Sequence, residues 1–344
     1  MPEVPPGIAA APVAKFLAER VAFLEGPLRF ELIGAGRSNL TYRVHGASGT
    51  CVLRRPPLGH VLPTAHDMAR EFRVLAALAD TDVPVARPLA LCEDAEVNGA
   101  PFYVMEDRPG VVIEDRIPEG YAAAPEDRRR IGLALVDVLA RLHAVDWRAA
   151  GLEGFGRPQG YLERQVRRWS QQWERSKVDE LPALDELMGR LAAALPESPP
   201  ATLVHGDYRL GNLALDPDDP GRVVAVFDWE MATLGDPLAD LGYLLMSWAD
   251  PDEPEVSTLS SFRSVTAEPG FPRRAELVRA YASCSGRDPS TVDYYVVLAF
   301  AKLAVISEGI YARHLKGQTV GEKFAGLTRA SVPLAEHALG LLSK

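Results

Sequence analysis

Cysteine is scarce in this chain, and the few cysteines lie far apart. Cys51, Cys92 and Cys284 form no C-x-x-C pair, so the sequence predicts neither a disulfide framework nor a thiolate zinc site. This pattern is typical of a protein that works in the reducing cytoplasm, which is the location that we expect.

Basic residues are outnumbered, and no targeting or long apolar segment stands out. The 344 residues include 37 Lys and Arg against 47 Asp and Glu, a formal net charge of −10, whereas a nucleic-acid surface normally shows a basic patch or stripe. The start, Met-Pro-Glu-Val-Pro-Pro, lacks the basic and apolar regions of a signal peptide, and we expect no apolar run near the roughly 18 residues of a membrane helix. We therefore expect no nucleic-acid and no membrane partner. With 47% hydrophobic and 24% charged residues, the chain can bury a large core, in two lobes of one catalytic unit.

The most informative stretch is residues 202–230, where polar side chains follow short apolar segments. It begins Thr-Leu-Val-His-Gly-Asp-Tyr-Arg-Leu-Gly-Asn and, after an Asp- and Pro-rich turn, ends Val-Val-Ala-Val-Phe-Asp-Trp-Glu. Two carboxylates and one carboxamide, Asp207, Asp228 and Asn212, therefore lie at the ends of predicted paired strands. A phosphoryl-transfer site needs such groups, because a carboxylate must orient the acceptor hydroxyl and side-chain oxygens must hold magnesium against the nucleotide. A lone His-Gly-Asp would be an ordinary turn, but the combined pattern favours catalysis.

This pattern resembles the aminoglycoside phosphotransferase and choline kinase family, which is related to the protein kinases. The catalytic loop of that family has the form H-G-D-x-x-x-x-N, and its metal-binding aspartate follows about twenty residues later. The resemblance implies that Asp207 orients and deprotonates the acceptor and that Asn212 and Asp228 hold Mg²⁺. Arg209 lies where many protein kinases have a phosphate-contacting Lys, and it is expected to stabilise the transferring group. The implied fold is α+β and protein-kinase-like, with a small N-terminal lobe of antiparallel sheet plus helix and a larger, mostly helical C-terminal lobe.

A nucleotide site is expected in the first lobe, starting with a predicted hairpin at residues 30–44. Glycines let backbone N–H groups approach phosphate oxygens, and Ser38 adds a hydroxyl. Alone this signal is weak, because any hairpin can turn on glycine. The stretch departs from the protein-kinase G-x-G-x-x-G by having Asn39 at the third glycine, but it is similar to the G-G-x-S-N form of the phosphotransferase family. The resemblance makes a nucleotide lid of Gly34, Gly36, Ser38 and Asn39.

The third predicted strand, residues 50–55, supplies the candidate phosphate-binding cation. Side chains two positions apart share a face, so Val52 and Arg54 point the same way and Arg55 points to the other side. In the kinase pattern V-A-I-K the corresponding pair is Ala and Lys, so Arg54 replaces the usual Lys with a larger, bidentate group. Glu71, on an amphipathic helix predicted for residues 65–78, is the candidate ion-pair partner of Arg54. Arg55 is better explained as a solvated strand end.

The first lobe is predicted to end at a hinge. Residues 85–92 and 101–106 are predicted strands joined by a turn at Asn98-Gly99, and the backbone at Met105 and Glu106 is expected to face the adenine edge. Backbone recognition leaves no side-chain signature, so ATP is the default nucleotide and GTP stays open. The predicted division is 1–106 for the nucleotide-binding lobe and 107–344 for the catalytic and substrate-binding lobe.

Several polar residues of the second lobe are assigned to structure. His143, at the end of a helix predicted for residues 126–143, is expected to pack or to cap. Two aspartates, Asp236 and Asp240, resemble an acidic pair of the family and are interpreted as scaffolding for the metal loop. A further predicted helix at residues 290–314 carries three polar groups that either line the acceptor pocket or extend to water, namely Lys302, Glu308 and Arg313.

The acceptor hydroxyl is the least determined part of the predicted activity. Details such as V-L-R-R-P-P, F-D-W-E and G-D-P-L-x-D-L resemble the subgroup associated with acyl-CoA dehydrogenases, which implies a hydroxy acid or hydroxyacyl thioester. On the helix predicted for residues 161–175, Arg164 and Arg168 either anchor such an anion or form a solvated face. An aminoglycoside or other amino alcohol is the alternative, and acidic residues 250–255 would then attract it. A nucleotide-binding pseudokinase, inactive through the Lys-to-Arg change, is disfavoured by the intact Asp207, Asn212 and Asp228.

The Asp207→Ala variant is expected to lose phosphoryl transfer and to keep most of its nucleotide affinity, because the carboxylate serves the acceptor and not the phosphates. Loss of a general base typically lowers the rate by ~10²–10⁴-fold. Steady-state kinetics measures the loss of kcat, and calorimetry with Mg²⁺ and nucleotide measures the affinity. A variant with a near wild-type rate would contradict the role assigned to Asp207.

Overall fold

The computed structural model describes residues 4–35, 39–59, 66–253, 265–317 and 329–342, and the chain divides into two compact units. Unit 1 comprises Met1–Gly110, Trp147–Leu152 and Val224–Ala232, and unit 2 comprises Val111–Asp146, Glu153–Val223 and Thr233–Lys344. The division predicted from the sequence was continuous, whereas unit 1 also includes two short segments from later in the chain. As a consequence Asp228 belongs to unit 1, while Asp207 and Asn212 belong to unit 2.

Unit 1 is built on a five-stranded antiparallel sheet in the order β1-β2-β3-β5-β4. Its strands are β1 (Arg29–Ala35), β2 (Leu40–His45), β3 (Thr50–Arg55), β4 (Pro88–Cys92) and β5 (Phe102–Glu106). The register places Arg54 of β3 opposite Tyr103 of β5, and Val52 opposite Met105. The candidate phosphate-binding strand is therefore an inner strand, paired on both sides.

Two helices pack in unit 1, α1 (Ala10–Arg20) and α2 (Met68–Leu78). Val13 and Leu17 of α1 are fully buried in the core of the sheet, and Phe16 packs edge-on against Phe102 with ring centroids 5.3 Å apart. The Asp67 carboxylate caps α2 by accepting from the Arg70 amide at 2.9 Å, which explains where this helix begins. Apolar burial thus positions α1, and a cap places Glu71 in the first turn of α2.

Two local predictions for unit 1 were wrong. The link between β4 and β5 contains a short helix, α3 (Ala95–Asn98), which ends at Gly99 with a φ of 72° instead of forming a simple hairpin turn. Arg55 is buried, not solvated, because its guanidinium donates to the carbonyl oxygens of Gly7, Pro56 and Asn98. These acceptors replace water and make burial of the charge tolerable.

Unit 2 combines short strands with several helices. The strand β7 (Thr202–Val204) pairs antiparallel with β10 (Thr233–Gly235), and β6 (Val111–Val112) pairs antiparallel with β8 (Leu213–Leu215). The strand β9 (Val223–Val226) starts in unit 2 and continues in unit 1. The helices of unit 2 are α4 (Pro125–Ala144), α5 (Tyr161–Ser176), α6 (Pro182–Ala193), α7 (Pro237–Met246), α8 (Arg274–Ser285), α9 (Val292–Leu315) and α10 (Ser331–Leu341). The helices predicted at residues 126–143, 161–175 and 290–314 are confirmed.

The central helix α9 is long and apolar enough to cross a membrane, by length and composition alone. An 18-residue window of this helix is predominantly apolar, so the expectation that no apolar run reaches this length was wrong. In this protein 67% of that window is buried, and α9 packs against α5, α6, α7 and α10. The apolar surface of α9 therefore forms the core of unit 2.

The Gly242→Ala substitution is expected to destabilise the protein, because α7 and α9 touch at this glycine. An added Cβ would lie 2.5 Å from Tyr295 Cβ and 2.6 Å from the Tyr295 carbonyl carbon, so the backbone would have to move. Overpacking of this kind costs about 1–3 kcal/mol, which urea denaturation can measure.

The matched control is Gly189→Ala on the exposed face of α6, where an added Cβ meets nothing within 4 Å. This control should gain ~0.5–1 kcal/mol from the lower backbone entropy of alanine in the unfolded chain. Equal effects of the two substitutions would contradict close packing at Gly242.

Candidate functional site

The loop after β7 brings Asp207 and Asn212 into direct contact. The Asn212 side-chain nitrogen donates to the Asp207 carbonyl at 2.7 Å and to Asp207 Oδ2 at 2.8 Å. The amide oxygen of Asn212 is then the end of this side chain suited to a cation. Arg209 lies beside the pair, with its Nε 3.9 Å from Asp207 Oδ2. Unit 2 thus assembles a carboxylate, a carboxamide and a guanidinium within one loop.

A buried aspartate holds this loop by its backbone. Asp240 on α7 accepts from the His205 amide at 2.6 Å and from the Gly206 amide at 2.7 Å. Its Oδ2 also lies 3.3 Å from His143 Nε2, while His143 Nδ1 lies 2.7 Å from the Tyr281 hydroxyl. Burial lowers the pKa of His143, which favours a neutral imidazole that donates from Nε2 to Asp240 and accepts from Tyr281 at Nδ1.

These contacts agree with the structural roles expected for His143 and for the acidic pair. Burial alone would raise the pKa of Asp240, but its hydrogen bonds from His143 and from the loop amide lower it, so Asp240 stays ionised as an acceptor. Asp236 caps α7 by accepting from the Leu238 amide at 3.0 Å, and it accepts from the Tyr295 hydroxyl at 2.5 Å. Both aspartates therefore organise backbone and neighbouring side chains.

Lys302 of α9 also contacts the loop, and sequence reasoning had left its role open. Its ammonium donates to the Gly206 carbonyl at 3.0 Å. By contrast, Glu308 on the same helix is fully buried and accepts from Arg329 at 2.9 Å and from the Ser331 hydroxyl at 2.6 Å. Arg313, near the end of α9, is exposed. Of the three polar groups considered on this helix, Lys302 is the one that reaches the loop.

Unit 1 contains a second polar cluster, centred on Arg54. The Arg54 Nε lies 3.0 Å from Glu71 Oε2, so the predicted strand-to-helix ion pair is present, and Arg54 Nη2 donates to Asp228 Oδ1 at 2.6 Å. Burial would lower the pKa of Arg54, but Glu71 and Asp228 raise it above its ordinary value. Burial raises the pKa of Glu71 to about 7, against the opposing effects of Arg54 and of the Tyr103 hydroxyl, which donates to Glu71 at 2.9 Å.

Asp228 has an unusual backbone conformation. Its φ of 67° lies in the left-handed region, which is uncommon for residues other than glycine. The residue follows β9 directly, and a short 3₁₀ turn, Trp229–Met231, begins after it. Aspartate adopts this region more readily than most residues, so the role of the Asp228 carboxylate stays a prediction.

The predicted nucleotide lid is described only in part. Gly34 lies in β1 beside a register irregularity between Leu32 and Gly34, whereas Gly36 and Ser38 lie outside the described residues. Asn39 is buried, and its side-chain nitrogen donates to Glu71 Oε1 at 2.9 Å and to Glu230 Oε2 at 3.2 Å.

Glu230 is a further member of this cluster that was not predicted as a site residue from the sequence. The signal that could have found it is its position two residues after Asp228, in the F-D-W-E motif. Glu230 also lies 3.9 Å from Arg54 Nη2, so it shares the cation that pairs with Glu71 and Asp228. The cluster in unit 1 therefore contains three carboxylates around one guanidinium.

The predicted adenine-facing residues, Met105 and Glu106, lie at the end of β5, an inner strand of the sheet in unit 1. Met105 is buried in β5, and the Glu106 amide donates to the Arg87 carbonyl at 2.9 Å. The Glu106 carboxylate pairs with Arg108 at 2.7 Å. The Glu106 amide is thus already hydrogen-bonded within the protein. The backbone groups that could bind an adenine are therefore those of the neighbouring residues.

The predicted metal ligands are hard oxygen donors. Asn212 offers an amide oxygen and Asp228 a carboxylate oxygen, the ligand types that Mg²⁺ prefers. Within the part of the chain that the structure describes, no group of three or more His, Cys, Asp and Glu side chains forms a metal-binding cluster. Asn212 and Asp228 therefore stay predicted Mg²⁺ ligands, each with an oxygen of the suitable type.

Comparisons with known proteins identify the same family that the sequence motifs resemble. The profile of a phosphotransferase enzyme family matches residues 29–277. Acyl-CoA dehydrogenase family member 10 of Mus musculus is 38% identical over 315 residues, which cover 90% of this chain and 29% of the mouse protein. The chain thus spans less than a third of the length of that relative.

Solved structures share the fold. A crystal structure from Ralstonia eutropha that bears the name of an aminoglycoside phosphotransferase is 34% identical, with a TM-score of 0.84 and coverage of 98% of both chains. A thermostable variant of aminoglycoside phosphotransferase APH(4)-Ia, in a ternary complex with AMP-PNP and hygromycin B, has a TM-score of 0.60 at 18% identity and covers 96% of this chain and 99% of its own. The predicted two-lobed, protein-kinase-like α+β fold is confirmed.

The Asp228→Asn substitution is expected to weaken Mg²⁺-dependent nucleotide binding more than Asn212→Ala does. A carboxylate contributes a full negative charge to the ion, whereas an amide contributes only a dipole. The loss for Asp228→Asn should be at least the roughly 10- to 100-fold that is common even for groups behind the metal ligands. Calorimetry with and without Mg²⁺ compares both variants with the wild type, and wild-type affinities of both variants in the presence of Mg²⁺ would show that neither residue holds the ion.

Proposed function

Since the chain belongs to the phosphotransferase enzyme family, as its motifs predict, we propose that it transfers the γ-phosphate of ATP to a hydroxyl of a small molecule with Mg²⁺ as cofactor. The observation that carries this proposal is the 2.8 Å hydrogen bond from Asn212 to Asp207 inside the H-G-D-x-x-x-x-N loop. This bond connects Asp207, which is suited to take a proton from the acceptor, with Asn212, which offers an oxygen ligand for Mg²⁺. The nucleotide analogue in the APH(4)-Ia complex supports ATP as the donor.

Asp207 acts on the acceptor in this proposal. Asn212 engages Asp207 Oδ2, so Oδ1 is the oxygen that we assign to the acceptor hydroxyl. As the hydroxyl oxygen bonds to the γ-phosphorus, its proton passes to Asp207 and the bond between the γ-phosphorus and the bridging oxygen of ADP breaks. Arg209, with its Nε 3.9 Å from Asp207, supplies positive charge for the transferring phosphoryl group.

The remaining groups act on the nucleotide. Asn212 and Asp228 would provide oxygen ligands for Mg²⁺, which when bound neutralises negative charge on the phosphates. Arg54, oriented by Glu71, would grip the phosphates with its guanidinium edge. The glycines and Ser38 at residues 34–38 would cover them, in keeping with the family motif.

We further propose that the acceptor carries a carboxylate or an acyl thioester. Three observations support this class over a cationic amino alcohol. The mouse relative is named as an acyl-CoA dehydrogenase family member. The ammonium of Lys302 contacts the loop that holds Asp207. The carboxylates of Asp252 and Glu253, in the described part of the acidic stretch, are paired with Arg273 and Arg274, each at 2.6 Å.

The two arginines considered as anion anchors on α5 give less support. Arg164 donates to the carbonyl oxygens of Arg157 and Gln159, and Arg168 lies over Trp169 with its guanidinium carbon 5.4 Å from the ring centroid. Arg168 is exposed, as the solvated interpretation of this face expects, whereas Arg164 is half-buried and uses its guanidinium on these backbone carbonyls. Neither arginine is therefore counted among the observations that support the anionic acceptor class.

A coupled assay of ADP release tests the proposal across matched acceptors. The panel contains hydroxy acids, hydroxyacyl-CoA thioesters, the corresponding alcohols without a carboxylate, aminoglycosides and choline, each with and without Mg²⁺ and with ATP or GTP. We expect Mg²⁺-dependent release with hydroxy acids or their thioesters and less with the matched alcohols. Turnover confined to aminoglycosides or choline would contradict the acceptor class. Tight nucleotide binding without turnover of any acceptor would instead indicate a pseudokinase.

A further inference from the structure

The peptide that joins Gly206 to Asp207 is held at both of its polar atoms. Its carbonyl oxygen, from Gly206, accepts from the Lys302 ammonium at 3.0 Å. Its N–H, from Asp207, donates to His205 Nδ1 at 3.2 Å. Because a peptide unit is planar, fixing these two atoms fixes the plane of the unit and the position of the Asp207 Cα.

Gly206 is a point where the loop would otherwise be free to rotate. Its φ of 84° lies in the left-handed region that glycine adopts easily, and a residue without a side chain has little steric barrier to other conformations. Asp240 holds the Gly206 amide at 2.7 Å, on the N-terminal side of the residue. Lys302 holds the carbonyl on the C-terminal side, which leads directly to the carboxylate of Asp207.

Burial disfavours the charged form of Lys302, so its position calls for an explanation beyond packing. Burial lowers the pKa of Lys302, and Arg168 adds to this effect, whereas the negative charges of Asp207 and Asp240 oppose it. Aromatic rings compensate part of the lost hydration, since the Lys302 nitrogen lies 4.6 Å from the Tyr243 ring centroid and 5.8 Å from that of Trp169. A methionine of similar length would pack among these rings without this penalty.

We propose that Lys302 is a positioning residue, which fixes the plane of the Gly206-Asp207 peptide and thereby aims the Asp207 carboxylate at the acceptor hydroxyl. The inference rests on the proposed function of Asp207. Lys302 then affects the rate of phosphoryl transfer by holding the loop, and it does not contact the nucleotide. A misplacement of a reacting group by about 1 Å can lower a rate by roughly 100-fold, so the orientation of one peptide is enough to matter.

The test compares Lys302→Met with Lys302→Arg in the full chain. The methionine keeps the length of the side chain but removes the donor and the charge, and its kcat should fall by about 10- to 100-fold. The KM for the nucleotide should change little, because Lys302 acts on the acceptor side. The melting temperature should stay the same or rise, since a partly buried charge is removed. Lys302→Arg retains a donor and the charge and should recover part of the lost kcat.

A control on the same helix separates positioning from stability. Glu308→Gln weakens the buried contacts with Arg329 and Ser331, so it should lower the melting temperature. Its kcat, measured well below the melting temperature, should match the wild type. A purely structural contact would lower kcat and the melting temperature of the Lys302 variants together. That result would overturn the positioning role.

The pH profile provides a second readout. The lowered pKa of Lys302 predicts that wild-type kcat declines as the pH rises toward the alkaline range, before the ordinary lysine value is reached. The charged groups that face it are Asp207, Asp240 and Arg168. The decline assigned to loss of the ammonium charge should be missing in Lys302→Met and in Lys302→Arg. The same alkaline decline in all three proteins would count against this role.

Crystal structures keep the inference separate from the proposed function. If the wild type transfers phosphate to no acceptor, the proposed function fails, but the orientation of the peptide can still be compared. We expect the Gly206 carbonyl of Lys302→Met to rotate away from its wild-type direction and the hydrogen bond from Asp207 to His205 to be lost. An unchanged Gly206 carbonyl in Lys302→Met, or a wild-type kcat in that variant, would overturn the inference.

Discussion

The contact on which the candidate site depends most is the one between the Asp240 carboxylate and two successive backbone amides. His205 and Gly206 donate to its two oxygens at 2.6 and 2.7 Å, and this contact anchors the segment that leads to Asp207. A fully buried carboxylate is tolerated only when its oxygens are well hydrogen-bonded, and here His143 completes the set. The charge of Asp240 therefore holds the loop at the amide of Gly206, where the chain turns. Lys302 holds the carbonyl of the same glycine.

The cluster in unit 1 shows how an arginine can replace the lysine of the kinase strand. Arg54 uses two different nitrogens, Nε toward Glu71 and Nη2 toward Asp228, so one planar group contacts two carboxylates at once. A lysine ammonium is a compact point charge and cannot span the pair with the same fixed geometry. Asn39 extends the cluster by donating to Glu71 and Glu230. Arg54 thus replaces the usual Lys at a position surrounded by carboxylates that its guanidinium can contact.

The parts of the fold and site that could be predicted are those with local spacing in the sequence. The H-G-D-x-x-x-x-N loop places Asp207 and Asn212 five positions apart, and their hydrogen bond follows from that spacing. Contacts between distant segments leave no such trace. Lys302 and Gly206 are 96 positions apart, and Asn39 and Glu230 are 191 positions apart, so neither pairing has a periodicity to reveal it. Arg55 was misjudged for the same reason, because two of its carbonyl partners lie 43 and 48 positions away.

Transfer of a phosphoryl group from a nucleotide to a hydroxyl oxygen by this chain can be followed by ³¹P NMR of a single reaction. The mixture contains the protein, ATP, Mg²⁺ and a hydroxy acid or its CoA thioester, and spectra are recorded over time. We predict that the γ-phosphate signal of ATP decreases while signals of ADP and of a new phosphate monoester increase together. If ATP persists unchanged, or if inorganic phosphate is the product from the start, the proposed transfer to an alcohol is contradicted.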